Sequence, residues 1–470
     1  MKLSHRFPPT AAVFDDPNLV SAVGLIPVVK LAQDAGLTSL ADRQLSVPGD
    51  QGAHAGRKVM SLVAGMVAGG DSIDDMALLR HGAMGKVFDR PYAPSTLGSF
   101  LRAFTFGHVR QLDAVASRFL SALGASTPVV AGIGGRVLVD VDDTIIQVHG
   151  YAKQGSGYGY SGVRGLNALL ATVTGDQGAP VVVAQRLRKG SAGSPRGAAR
   201  LVTDALASVR KLRLLDTSGT ARPVLLRADS AFYGHPTVAA AIRAGADVSV
   251  TVRLDPKVRA AIAAIEDDTW TPIKYTDAIF DEATKTWVSK AEVAEIPFTA
   301  FGSRKASEQV RGRLVVRRIP DLNTAGAGQQ TLFHTWRFHA FFTTTDPNLM
   351  DTVNADKTHR GHAVIEQVHA DLKNSALAHL PSGKFTANAA WLVLAVIAFN
   401  LTRAAASTTN SPSLAKATTA TIRRKLITIP ARIASSARQL KLHLPTGWPW
   451  QDAWTELFTQ TCGPPQTATP

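Results

Sequence analysis

Cysteine is almost absent from this chain, since Cys462 is the only one among its 470 residues. A disulfide framework and a cysteine-based zinc site both need several thiols, so the sequence excludes both. Scarcity of cysteine is typical of proteins in a reducing compartment. We therefore expect a cytoplasmic protein.

Long apolar runs are also missing. The two longest, at 389–399 and 60–70, fall short of the roughly 18–20 residues that a membrane-spanning helix needs. The N-terminal sequence MKLSHRFPPTAAVFDD has no continuous apolar core of the kind that a secretory signal contains. We expect no membrane partner.

Acidic residues are outnumbered by basic ones. The chain has 51 Lys and Arg against 36 Asp and Glu, which gives a formal net charge of +15. Between Asp371 and Asp452 there is no acidic residue, whereas ten Lys or Arg lie there. Such a one-sign stretch favours contact with phosphates, because neutralising them releases counterions. A polyanion is the expected partner, with nucleic acid first, since no basic amphipathic segment indicates a membrane surface.

The hydrophobic periodicity changes along the chain. Residues 1–130 have helical spacing, and the segment GLIPVVKLAQDAGLTSLADRQL is compatible either with a DNA-binding helix-turn-helix or with plain helical packing. From residue 131 to 254, Val- and Ile-rich strands and a helix predict an α/β domain with a mixed sheet. The predicted elements are strands at 136–148, 166–174, 180–187 and 223–229, and a helix at 197–213.

The second half returns to the same domain after an interruption. Short strand-like pieces separated by turn residues predict a β-rich insertion at 255–336. The segment 337–404 then supplies a strand and two helices, the second of them apolar. The composition of AASTTNSPS, at 405–413, is typical of a flexible linker that opens a basic, helical C-terminal region at 405–470.

Three aspartates interrupt the first predicted strand, in VLVDVDDTIIQVHG. Alternation along a strand places Asp140, Asp142 and Thr144 on one face and Asp143 on the other. Burying a carboxylate costs free energy unless a counter-charge faces it. We expect metal ions to face Asp140 and Asp142, and Asp143 to serve the packing of the opposite face.

Two further carboxylates complete a possible metal site. Asp229 directly follows an apolar strand, and Glu366 is flanked by apolar residues on a predicted helix. Taken alone, Asp229 is compatible with a turn or cap residue and Glu366 with a solvated one. Together with Asp142 they match the oxygen ligands that hold two Mg²⁺ ions on either side of a phosphoryl group in transfer.

The sequence blocks around these carboxylates resemble a known family. LVDVDDT, RADSAFY and HRGHAVIEQVHADLKN are similar to the three catalytic blocks of DDE transposases from bacterial insertion sequences, and most similar to the actinobacterial insertion-sequence thirteen-eighty family. The resemblance extends over most of the chain, including APSTLGSFLRAFTFGHVRQLD upstream and residues 377–404 and 422–450 downstream.

The resemblance implies a fold, an activity and a site. The implied fold is a ribonuclease-H-like core, a mixed sheet flanked by helices, with a β-rich insertion between the second aspartate and the glutamate. The implied activity is DNA cleavage at the ends of a mobile element and strand transfer into target DNA, by a dimer or higher multimer near the nucleoid. In the family the first catalytic aspartate stands two residues before a threonine, which selects Asp142 over Asp140. Asp142, Asp229 and Glu366 would then hold two Mg²⁺ ions, or Mn²⁺.

The third block departs from the family pattern. Related transposases carry a tyrosine, an arginine, the glutamate and a lysine, where this chain has His359, His362, Glu366 and Lys373. A histidine holds a phosphate only when it is protonated. Two alternatives therefore stay open: a weakened or inactive DNA-binding relative, and a metal-dependent nuclease of the same fold. The basic residues expected to contact DNA are Lys153, Arg164, His359, His362, Lys373, Lys384, Arg423, Arg424 and Lys425.

Overall fold

The computed structural model describes residues 12–214, 223–273, 275, 279–281, 286–288, 291–320, 336–436 and 439–463. The N-terminal part of this range is helical, as its periodicity predicts. The helix Ala55–Ala68 buries nearly all its residues. The helix Phe106–Ser126 begins with a capping box, in which the side chains of Thr105 and His108 each form a hydrogen bond with the other residue's backbone. The helices are α1 (Leu25–Asp34), α2 (Leu37–Gln44), α3 (Gly49–Gly52), α4 (Ala55–Ala68), α5 (Met84–Val87), α6 (Pro94–Arg102) and α7 (Phe106–Ser126).

A ten-stranded mixed sheet forms the centre of the protein. Its strands are rich in Val, Ile, Leu and Phe, whose branched or aromatic side chains suit a sheet covered on its faces. A two-residue strand, β1 (Leu19–Val20), precedes it in the chain and lies in another sheet. The first half of the central sheet consists of β2 (Val137–Gln147), β3 (Gly157–Tyr158), β4 (Arg164–Thr174), β5 (Val181–Lys189), β6 (Val224–Ala228) and β7 (Ala246–Thr251).

The order of these strands is mixed. Strand β4 lies antiparallel to β2 on one side and to β3 and β5 on the other. Strands β2, β6 and β7 run parallel, and the connections between them carry α8 (Ala198–Arg213) and α9 (His235–Arg243). The sequence therefore predicted the α/β class and the strand positions correctly. The parallel pairing matters for function, because it brings the carboxyl ends of β2 and β6 to the same edge.

The segment 255–336 extends this sheet. Strand β7 pairs with the returning strand, Trp336–Thr343, and three further antiparallel strands follow it in the sheet: Val310–Pro320, Ala291–Ala300 and Thr271–Ile273. Ile279–Asp281 and Thr286–Val288 form a separate two-stranded antiparallel ribbon. The elements are α10 (Pro256–Ala263), β8 (Thr271–Ile273), β9 (Ile279–Asp281), β10 (Thr286–Val288), β11 (Ala291–Ala300), β12 (Val310–Pro320) and β13 (Trp336–Thr343).

Three helices follow the returning strand: α11 (Thr352–Arg360), α12 (Val364–Lys373) and α13 (Phe385–Ser407). Helix α13 is apolar and long enough to cross a membrane by length and composition, yet its apolar window is completely buried in the protein. Helices α4 and α7 pack against it, and so does strand β5. One hydrophobic core thus runs from the N-terminal helices through α13 to the sheet. The domain boundaries read from the sequence stay predictions.

The prediction of a flexible linker at 405–413 was wrong. Ala405 and Ala406 belong to α13 and are fully buried, and Thr409 is buried as well. The C-terminal region is also not purely helical, because two of its strands form a three-stranded sheet with β1 from the other end of the chain. Its elements are α14 (Pro412–Ala415), α15 (Thr419–Ile422), β14 (Ala431–Ser436), β15 (Gln439–His443) and α16 (Gln451–Cys462).

Candidate active site at the ends of two parallel strands

Asp142 and Asp229 lie side by side at the edge where β2 and β6 run parallel. The register places Val141 opposite Ala228, so these two aspartates are the next residues of their strands. Asp229 follows β6 directly and begins a short turn, in which its carboxylate accepts a hydrogen bond from the Ala231 backbone N–H at 3.0 Å. The two side chains are close enough for the charge of Asp229 to act on Asp142.

The environment of this pair disfavours two negative charges. Burial, and then the charge of Asp229, raise the pKa of Asp142 to about 6. Burial likewise raises the pKa of Asp229. Among the residues that the structure describes, no Lys or Arg forms an ion pair with either carboxylate, and the nearest ring nitrogen, His369 Nδ1, is 3.6 Å from Asp142 Oδ2. The pKa of both carboxyls thus stays raised, although the charge of Lys373 interacts with that of Asp142.

Asp140 has a protein partner instead of a metal ion. It is completely buried, and Arg227 on β6 donates two hydrogen bonds to its carboxylate, from Nε and Nη2, each at 2.7 Å. His362 Nδ1 lies 3.0 Å from the same carboxylate. Because these groups already occupy its oxygens, Asp140 does not fit the predicted role of an additional metal ligand. The expectation that a metal ion faces Asp140 was wrong.

Arg227 is a functional neighbour that we did not single out from the sequence. It stands in the buried strand β6 directly opposite Asp140, and its Nη1 also donates to the Thr358 carbonyl at the end of α11. An arginine inside the apolar run PVLLRAD was the available signal, since a buried guanidinium requires a carboxylate partner. Its hydrogen bonds connect strands β2 and β6 to the segment that leads into α12.

Asp143 points to the opposite face of β2 and is fully paired, as predicted. Arg188 Nη2 donates to its carboxylate at 2.7 Å, and the Asn167 side-chain amide also donates to it. Arg188 in turn binds the Asn167 carbonyl oxygen at 2.9 Å from Nε. These contacts join three neighbouring antiparallel strands, so Asp143 serves the sheet.

Glu366 stands on a polar stripe of α12. His362, Glu366, His369 and Lys373 are spaced four, three and four residues apart, which places them on one helix face. His362 contacts Asp140, while the charge of Lys373 interacts with that of Asp142. The Glu366 carboxylate is exposed and forms no hydrogen bond or ion pair within the described residues. Helix α12 thus faces the aspartates with the stripe that carries Glu366.

A complete metal-binding cluster is not present in this arrangement. No group of three or more His, Cys, Asp or Glu side chains in the described parts of the chain lies close enough to hold a metal ion. Asp142 and Asp229 lie together, and Glu366, on the adjacent helix face, does not complete such a group with them.

His359 does not suit the predicted phosphate contact. Its two ring nitrogens each lie 2.9 Å from a hydroxyl, of Ser249 and of Thr251, and its ring stacks on Phe341 with centroids 4.1 Å apart. Burial lowers the pKa of His359 to about 3, so the imidazole is neutral near pH 7. This histidine fastens α11 to the sheet.

The other basic residues predicted to contact DNA fall into two groups. Several donate hydrogen bonds to backbone carbonyls: Lys153 to Leu380 and Ser382, Arg164 to Tyr151, Lys384 to Arg102, and Arg423 to Val67. Arg423 is also partly buried, and burial lowers its pKa. Arg424 is exposed, and the Lys425 ammonium lies 5.0 Å from the centre of the Trp450 ring. Arg424 is therefore better placed for phosphate contact than Arg423.

A comparison with protein families agrees with this geometry. The family described as transposase DDE domain group 1 matches residues 7–461, which is nearly the whole chain. No curated protein matches it. The paired aspartates at adjacent strand ends lie inside the matched region, and the chain belongs to the transposase DDE domain group 1 family.

Proposed function

We propose that this protein is a DNA transposase that cuts at the ends of a mobile element and joins the freed 3′-hydroxyl to a target phosphodiester. The observation that carries the proposal is the pair Asp142 and Asp229, which meet at adjacent strand ends and form no ion pair with a Lys or Arg among the described residues. The sheet supports a ribonuclease-H-like core, since three antiparallel strands, a helix and two parallel strands follow one another. The narrower kinship with the insertion-sequence thirteen-eighty family is part of this proposal.

The donor set fits a divalent metal ion. Two carboxylates with raised pKa and no basic partner favour binding of a cation, and their oxygen atoms are the ligands that Mg²⁺ prefers. Asp142 and Asp229 would hold it, with Glu366 of the facing helix as the third ligand that the family resemblance implies, and Mn²⁺ suits the same oxygen ligands. When bound, such an ion polarises the phosphodiester and neutralises charge on the departing oxygen.

The chain's own side chains position the DNA. Lys373, on the same stripe as Glu366, places a positive charge beside Asp142, where a phosphate would enter. His362 is held by Asp140 at 3.0 Å and so keeps the start of α12 against the strand ends. In phosphoryl transfer most of the catalytic effect comes from such positioning and from charge neutralisation.

The test is cleavage and joining of DNA that carries the inverted repeats flanking the gene, with Mg²⁺ present. We expect Asp142→Asn and Asp229→Asn to lose at least about 10²-fold in cleavage rate. The control is Asp74→Asn, an exposed aspartate of the N-terminal region, which should cleave like the parent protein. Cleavage that survives Asp142→Asn contradicts the site. Cleavage without joined products indicates a nuclease instead of a transposase.

An inactive DNA-binding relative is the second candidate. It is favoured by the absence of a three-ligand cluster within the described residues and by histidines in place of the family's tyrosine and arginine. The same assay separates the two: this candidate predicts DNA binding that is unchanged by Asp142→Asn, with no cleavage in Mg²⁺ or Mn²⁺.

A further inference from the structure

A cavity of about 590 Å³ lies next to the candidate active site. Its walls are the second half of β2, the loop between β3 and β4, the loop at 190–194, and the end of α12. Thr144, two residues beyond Asp142 on β2, lines it, and so does Lys373. Lys373 thus belongs both to the cavity wall and to the helix stripe whose charge interacts with Asp142.

The charge at this cavity favours an anion. Asp143 also lines it, but that carboxylate is neutralised by Arg188 at 2.7 Å. Lys373 has no carboxylate ion-pair partner among the residues described. Burial lowers the pKa of Lys373, whereas the charge of Asp142 raises it. A phosphate group entering the cavity would meet the Lys373 ammonium, which lines it.

The rim of the cavity carries an aromatic ring without a partner. Tyr160 lines the cavity, is fully exposed, and stacks on no ring or cation within the described chain. Tyr151, in the loop between β2 and β3, differs, because the Arg164 guanidinium lies 4.1 Å from the centre of its ring. An exposed aromatic ring at the mouth of a polar cavity is suited to stacking on a nucleobase, which every base permits.

Glycines give this wall its shape. A Cβ atom added at Gly159 would lie 2.6 Å from the Gly190 carbonyl oxygen, and one at Gly190 would lie 2.1 Å from the Gly165 carbonyl oxygen. The Gly190 N–H donates to the Gly155 carbonyl at 2.9 Å. The glycine-rich stretch of the sequence is thus a closely packed wall that holds Tyr160 over the cavity.

We propose that this cavity receives one unpaired nucleotide of the bound DNA end, with Lys373 contacting its phosphate and Tyr160 stacking on its base. The volume is in the range of roughly 300–1,000 Å³ for sites that take one small organic ligand. The inference rests on the proposed function, because the DNA strand must pass Asp142 to reach the cavity.

The test compares two DNA probes: a blunt duplex, and the same duplex with two unpaired terminal nucleotides. Binding is measured in EDTA by fluorescence anisotropy, and 2-aminopurine in the unpaired strand reports stacking. We expect tighter binding of the unpaired end, and we expect Tyr160→Ala to weaken that binding roughly 5-fold to 100-fold while leaving blunt-duplex binding unchanged. Tyr158→Ala is the matched control, since Tyr158 is exposed on the same hairpin but does not line the cavity.

The outcomes separate this inference from the proposed function. If Tyr160→Ala keeps the full preference for the unpaired end and the 2-aminopurine signal, the cavity does not hold the nucleotide. Mg²⁺-dependent cleavage by the same variants would then leave the proposed function intact. A preference that depends on Tyr160 in a protein that never cleaves DNA would support the cavity and contradict the transposase activity.

Discussion

Replacing Asp142 with asparagine is expected to stabilise the metal-free protein above pH 6 while it abolishes the proposed activity. The folded-state pKa of about 6 lies above the ordinary value of 3.8, because burial and Asp229 disfavour the charged form. A raised pKa of this kind means that stability is fully present below about pH 3.8 and is lost as the pH rises through 6. Asparagine, like the protonated carboxyl, carries no charge, so the variant does not lose this stability as the pH rises.

The size of the effect follows from the two pKa values. A difference of about two pH units corresponds to roughly 3 kcal/mol, at about 1.4 kcal/mol for each unit. This is an upper figure, since the Asp142 side chain keeps 21% of its surface exposed. For a chain of 470 residues, about 1 kcal/mol shifts the melting temperature by roughly 1 °C. We therefore expect Asp142→Asn to melt up to about 3 °C higher at pH 7.5.

The assay is thermal unfolding in EDTA at several pH values from 4 to 8, with the parent protein beside Asp142→Asn. The difference between the two should be near zero at pH 4 and constant above about pH 6.5. Asp140→Asn is the neighbouring control with the opposite sign, because it leaves Arg227 buried without its partner, at a loss of about 3–5 kcal/mol. If Asp142→Asn melts at a lower temperature than the parent protein at pH 7.5, Asp142 does not have a raised pKa. The same follows if the difference between the two melting temperatures does not change with pH.

Three further predictions concern the same region. Adding Mg²⁺ at about 100 times its dissociation constant should stabilise the parent protein by roughly 2.7 kcal/mol and Asp142→Asn much less; equal shifts in thermal unfolding would place the ion elsewhere. Arg227→Met should destabilise the fold by about 3–5 kcal/mol, because Asp140 then stays buried without its main partner, and unchanged chemical denaturation would contradict this. His359→Phe should leave the salt dependence of DNA binding unchanged at pH 7, since the imidazole is neutral. Arg424→Ser should reduce the slope of log binding constant against log salt concentration by about 1. Titrations with DNA at several salt concentrations measure both.

Some elements could be predicted because their signals are local. The Val-rich strands and the apolar helix α13 show their periodicity within one segment, so their positions agreed with the structure to within a few residues. Helix α11 was missed because its face is mostly polar, with only Ala355 and Asp356 buried. The strands near the C-terminus were missed because β14 pairs with Leu19 and Val20, at the opposite end of the chain. Nothing near β14 in the sequence indicates that partner.

The sequence by itself determined which carboxylates could serve the chemistry, through the three aspartates of one strand, Asp229 after another, and the resemblance of the blocks around them. Only the tertiary structure decided what each one faces. Because β2 and β6 are parallel with Val141 opposite Ala228, Asp140 meets Arg227 whereas Asp142 meets Asp229. The pairing register depends on distant strands packing together, and a shift of one residue would exchange the faces of all these side chains. That register is why one aspartate of this strand is neutralised by an arginine, while its neighbour two residues later lies beside a second carboxylate.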